Sequence, residues 1–147
     1  MNMDIDARRL LLQEAGLDVV DQAWSGALPG PMSVWKRVIG GDVRPTEVVR
    51  TSDRVDFLSD VESRWERLAR RAGILGGSGG FLISIAGVGA AEAPWALVRE
   101  TAQLDLAGKL SVGRESPEFV AMSLDGKSVC GVTGEEDEIL IVLRSLK

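Results

Sequence analysis

Residues 53–73, DRVDFLSDVESRWERLARRAG, set Val55, Leu58, Val61, Trp65, Leu68 and Ala72 at steps of three and four, so all six share one face of a helix. Asp53 can cap its start, or Ser59 with Glu62 can form a capping box if the helix begins later. Arg67, Arg70 and Arg71 suit the C-terminal dipole, and Gly73 suits a left-handed stop. A stripe of this kind has to be covered, and the second half of the chain supplies short apolar segments of strand length to cover it. Helical character before residue 76 and strand character after it predict an α+β fold. We expect one domain, 1–147, with a helical N-terminal half, 1–75, packed on a small, mainly antiparallel sheet in the C-terminal half, 76–147.

Ahead of the long helix, the sequence predicts helices over about Asp6–Ala15, stopped by Gly16, and over Asp18–Trp24. PMSVWKRVIGG predicts a third, with Pro31 in its first turn, Met32, Trp35 and Val38 on one face, and Gly40 at its end. After the glycines, Phe81 to Ala86 reads as a strand. Pro94 to Ala107 reads as a helix on its strong helix formers, with WALVRE as a strand the alternative. EFVAMSLDGKSVCGVTGEEDEILIVLRSL gives three strands, 118–123, 128–133 and 139–144, with Asp125-Gly126 the pair expected of a type I′ hairpin turn. Apolar residues at both alternating positions of the first of these strands, and throughout Ile139–Leu143, imply a sheet covered on both faces.

Chemistry is bounded mainly by what is missing. The chain has no histidine and one cysteine, which removes Ser-His-Asp and Cys-His arrangements, His metal ligands and an intrachain disulfide. Cys130 falls in a strand and reads as a small buried residue. Asp4 and Asp6 form a DxD pair that a helix entrance explains without a metal. GGSGG at 76–80 lies between a helix and a strand, the reverse of a phosphate loop, and no GK[ST] follows. It reads as a hinge between the two halves, or as a linker. Asp125-Gly126-Lys127 resembles the end of a nuclease site but already has a hairpin explanation. We expect no enzyme activity, no metal and no cofactor.

Gly73 to Ala91 runs uncharged over 19 residues, seven of them glycine, so a loop entering a buried strand is expected rather than a membrane span. The N-terminus, with acids ahead of two arginines and a run of only three leucines, does not read as a secretory signal, which points to the cytoplasm.

Glu135, Glu136, Asp137 and Glu138 are four consecutive carboxylates directly before five aliphatic residues. They belong to the second half, which carries ten acidic and six basic residues and so most of the net charge of −5. One reading is a solubilising turn that guards an aliphatic strand from edge pairing. The other is a docking surface for a basic partner, which would repel nucleic acid.

The acidic balance, the size and the closing EFVAMSLDGKSVCGVTGEEDEILIVL meander resemble the small cytoplasmic immunity proteins that neutralise toxins in bacterial competition. The resemblance implies a non-catalytic inhibitor that covers the active or essential surface of a cognate, basic toxin, with neither nucleic acid nor membrane as a partner. A small ligand-binding or enzymatic α+β domain, and a secretion-chaperone or scaffold subunit that uses its apolar helical half, are the alternatives. An immunity gene lies beside its toxin gene, which separates the three.

Overall fold

The computed structural model describes residues 5–24, 29–39, 43–51, 57–76, 79–85, 94–110, 118–135 and 137–146. Asp4, Gly40, Asp53, Val55, Gly77, Ser78, Ala86 and Glu136, and with them parts of the expectations above, lie outside these residues, as does the Asp6 side chain.

The elements run α1 (Ile5–Glu14), β1 (Leu17–Trp24), α2 (Pro31–Val38), β2 (Glu47–Arg50), α3 (Phe57–Arg71), β3 (Phe81–Ile85), β4 (Trp95–Glu100), α4 (Leu106–Lys109), β5 (Phe119–Ser123), β6 (Ser128–Gly134) and β7 (Glu138–Ser145). All seven strands join one antiparallel sheet in the order β1-β4-β3-β5-β6-β7-β2. The fold is α+β, with most strands in the C-terminal half.

Three expectations about the elements need correction. Asp18–Trp24 is strand β1, because Val19 and Leu17 bury against the core while Asp18, Val20 and Asp21 face outward. Residues 95–100 are strand β4 and not helix. Pairing with β1 and β3 on its two sides overrides the helix propensity of Ala96, Leu97 and Arg99. The division into a helical half and a sheet half is therefore incomplete, since β1 and β2 come from the first half and form the two outer edges.

Strand alternation sends two apolar sets to opposite faces. Phe81, Ile83, Phe119, Ala121, Cys130, Val132, Ile139 and Ile141 face α1, α3 and α4, with Leu12, Val61, Trp65 and Leu68 packed on them. Trp65 sits in the middle, edge-on to Phe119 at 5.3 Å between ring centroids and tilted against Phe81 at 6.4 Å. Its indole N–H donates to the Cys130 carbonyl at 3.4 Å. Leu82, Val120, Met122, Val129 and Val142 face the other way, under Val34 and Val38 of α2. The central strands are thus covered on both sides, as their sequence implies.

Helix α2 turns a different face inward from the one its spacing suggests. Pro31, Val34 and Val38 are buried, Trp35 is half-buried with its N–H on Ser84 Oγ at 2.8 Å, and Met32 is exposed. Its approach depends on Gly131, where an added Cβ would lie 3.1 Å from Val38.

Helix α3 carries the i,i+4 pairs Asp60–Arg64 and Glu66–Arg70 and extends both of them to the sheet. Arg64 and Arg67 meet Glu47 on β2 at 3.1 and 3.0 Å, and Arg70 meets Glu100 on β4 at 3.0 Å. Glu62 does not close a capping box at Ser59. It reaches forward to α4 and accepts the Ala107 N–H at 2.7 Å. Burial, opposed by that hydrogen bond, pushes its carboxyl above the usual range, and its second oxygen is buried without a partner among the described residues.

The β5–β6 turn differs from type I′, which needs positive φ at both central residues. Among the described residues only glycines have positive φ, and here that is Gly126 alone, at +72°. Gly126 N–H donates to the Ser123 carbonyl, and the Asp125 carboxylate accepts from Ser123 Oγ at 2.6 Å and the Lys127 N–H at 3.0 Å. These bonds hold the Asp125 carboxyl below its ordinary pKa, the Ser123 bond first, and give Asp125 a structural role.

Candidate functional site: the acidic hairpin tip and its apolar floor

The acidic run is the tip of the β6–β7 hairpin. Gly134 pairs with Ile139, and the Glu135 N–H donates to the Glu138 carbonyl at 2.8 Å, which closes the hairpin. Glu135 and Asp137 are exposed and Glu138 is half-buried. Glu136 lies outside the described residues, so the structure brings together three of the four carboxylates singled out in the sequence. The tip is fixed from both sides. Glu118 Oε2 accepts the Gly134 N–H at 3.2 Å, and the Asp137 carbonyl accepts the Thr51 N–H at 3.0 Å.

Sheet register sets what stands beside the tip. Glu138 and Leu140 of β7 point to the α2 face, where Arg50 and Val48 of β2 lie opposite them. Helix α2 covers β5, β6 and part of β7 but stops short of this corner. Val48 is left 38% exposed and Ile39, just past the helix, 50% exposed. A pocket of about 260 Å³ opens here, lined by Val38, Ile39, Val43, Leu140, Thr133, Gly134, Glu118 and Glu135. A shallower depression lined by Arg50, Glu135, Asp137, Glu138 and Leu140 adjoins it. The two share Glu135 and Leu140, so an apolar floor and an acidic rim form one surface. Among the described residues that line the two depressions, the carboxylates are Glu118, Glu135, Asp137 and Glu138 and the cation is Arg50.

Such a surface suits a side chain with an aliphatic stem and a positive head, as lysine and arginine have: the stem lies on the floor and the head reaches the rim. No group of three or more Asp, Glu or Cys residues placed to hold a metal occurs among the described residues. Cys130 is buried against the opposite face, and burial pushes its thiol up to about 12.

Trp65 and Trp95 are core residues, Trp24 and Trp35 are partly buried, and none lines either depression. The floor residues were not legible as a set in the sequence. Ile39 and Val43 stand on either side of Gly-Gly-Asp in the sequence, Leu140 sits within a uniformly aliphatic run, and only the fold joins them.

Comparison with known proteins matches this chain to no protein family, no curated protein and no solved structure. No helix among the described residues is long and apolar enough to cross a membrane.

Proposed function

We propose that the chain is a non-catalytic binding protein whose hairpin tip and adjoining floor dock a basic protein partner, acting in the cytoplasm as the immunity member of a toxin–immunity pair. The observation that carries this reading is the joining of Glu135, Asp137 and Glu138 to an apolar floor in which Ile39 and Val48 are exposed and Val43 and Leu140 half-buried. A turn whose only task is solubility needs no such floor, whereas protein interfaces combine a desolvated apolar centre with a charged rim. The rim acts mainly on the rate of encounter, through fields screened over about 8 Å at physiological salt, and the floor acts on residence time. The lone buried cysteine suits a reducing compartment.

The test is binding of the purified product of the adjacent gene, with growth rescue when that gene is expressed alone or together with this chain. Changing Glu135, Glu136, Asp137 and Glu138 to serine lowers the association rate about tenfold or more at low salt and much less at high salt. A neighbouring product that is not toxic, or a folded variant that binds at the wild-type rate in both salts, overturns the reading.

A further inference from the structure

The second half of the docking surface is a strand edge. In the β2–β7 ladder, Thr51 N–H bonds to the Asp137 carbonyl, which makes 51 with 137, and by alternation 49 with 139 and 47 with 141, the hydrogen-bonded pairs. Val48 and Arg50 therefore turn their N–H and C=O groups away from β7, to the outside of the sheet. Among the described residues nothing donates to or accepts from these four groups. The opposite edge is built differently. Strand β1 has register shifts between Val19 and Asp21 and between Asp21 and Trp24, which disfavour pairing with another strand, whereas β2 runs in unbroken register.

Resting on the docking proposal above, we infer that the basic partner engages this chain through an extended segment that adds to the outer edge of β2 as an eighth strand. Side chains of an added strand alternate between the faces. Those on the α2 face meet Val48 and Arg50 directly, with Leu140 and the acidic tip one strand further in, so a basic residue fits opposite Val48, its stem crossing toward the rim, and an apolar one opposite Arg50, where a like charge is disfavoured. Those on the other face meet Glu47, which Arg64 and Arg67 already neutralise, and Arg67 is itself more than half exposed. Basic residues are disfavoured there and small polar ones fit. The partner segment thus carries lysine or arginine and a branched apolar residue on one face, and uncharged polar residues on the other. A second copy of this chain is a poorer occupant, since it brings the same net charge of −5 and no complementary charge.

The probe is a short capped peptide in which lysine and valine alternate on one face and threonine fills the other, titrated at millimolar concentration into the isotope-labelled full chain. Strand addition shifts the amide resonances of Val48 and Arg50 and slows their hydrogen exchange. N-methylation of the peptide amides that face β2 weakens binding by about tenfold or more, while methylation of the alternate amides, which face solvent, leaves it unchanged. Val48→Pro blocks the edge without breaking the β7 ladder, because the N–H it removes points outward. If that variant does not fold, the two methylated peptides decide the question alone.

Equal effects of both methylation patterns, or shifts confined to the hairpin tip, overturn strand addition and leave electrostatic docking standing. Peptide binding that is indifferent both to salt and to serine at Glu135, Asp137 and Glu138 overturns the docking proposal as well. No shift at β2 or β7 overturns the inference, and so does a self-dimer in sedimentation that Val48→Pro dissolves.

Discussion

Gly16 and Gly73 end helices α1 and α3 with nearly the same backbone, φ +90° and +80°, yet alanine should cost very different amounts at the two sites. At Gly73 nothing lies within 4 Å of where a Cβ would be, so only the left-handed conformation is penalised, about 1 kcal/mol. At Gly16 the Cβ would collide with the carbonyl oxygen of Gln103, which is backbone and cannot rotate away. The 101–105 segment must then retreat. It is held by the Thr101 N–H and Oγ1 on the Gly16 carbonyl, at 3.1 and 2.7 Å, and by the Asp105 N–H on the Ala15 carbonyl at 2.8 Å. Losing these three bonds at about 1 kcal/mol each brings Gly16→Ala to about 4 kcal/mol, a large share of the ~5–15 kcal/mol that holds a domain folded. Urea unfolding followed by tryptophan fluorescence should give a midpoint far lower for Gly16→Ala than for Gly73→Ala, at equal slopes. Equal midpoints would refute the close-approach argument and leave backbone conformation as the whole effect.

Trp65→Ala should cost about 3–5 kcal/mol by emptying the space between Phe81 and Phe119, and Trp65→Phe clearly less, as read by thermal unfolding. Cys130, with its thiol pushed up to about 12, should resist alkylation at pH 8 until the chain unfolds; rapid labelling of the native protein would contradict its burial. Glu62 has a raised folded pKa, so the folded state keeps its proton where the unfolded state has lost it. Its contribution to stability then falls as pH rises from the ordinary glutamate range through the folded value. Glu62→Gln should remove that loss, so the variant gains on wild type as pH rises, and parallel stability–pH curves would refute this. Glu100, held low first by Arg70, has the opposite sign: its contribution is present above the ordinary value and is lost as acid protonates it, so Glu100→Gln should flatten the acid side of the curve.

How far the sequence could be read depended on whether each segment's own pattern or its neighbours decided its structure. Helix α3 carries a complete apolar stripe and a glycine stop, and the β5–β6–β7 meander carries aliphatic runs separated by turns, so both were legible. Strand β1 was not, because an edge strand with two register shifts has no steady alternation to show. Strand β4 reads locally as helix, and only its place between β1 and β3 makes WALVRE extended. The four residues of β2 give no signal of their own; Val49 is buried because α3 and β7 happen to meet there. For the same reason the carboxylates of the hairpin tip stood out as charge, while the floor beside them, drawn from α2, β2 and β7, did not.

The two outer strands, both from the first half of the chain, impose an order on folding. As the polypeptide leaves the ribosome, β1 and β2 emerge long before the strands they pair with: Leu17 waits for Glu100, and Glu47 waits for Ile141. The first half therefore cannot complete its hydrogen bonding until β4 and β7 have been made, and β7, the last of the described strands, is the one that secures β2. Contacts this distant in sequence make for slow closure. Until β7 arrives, the edge that we assign to the partner does not exist, so a partner that reads that edge engages only molecules in which β2 and β7 have already paired.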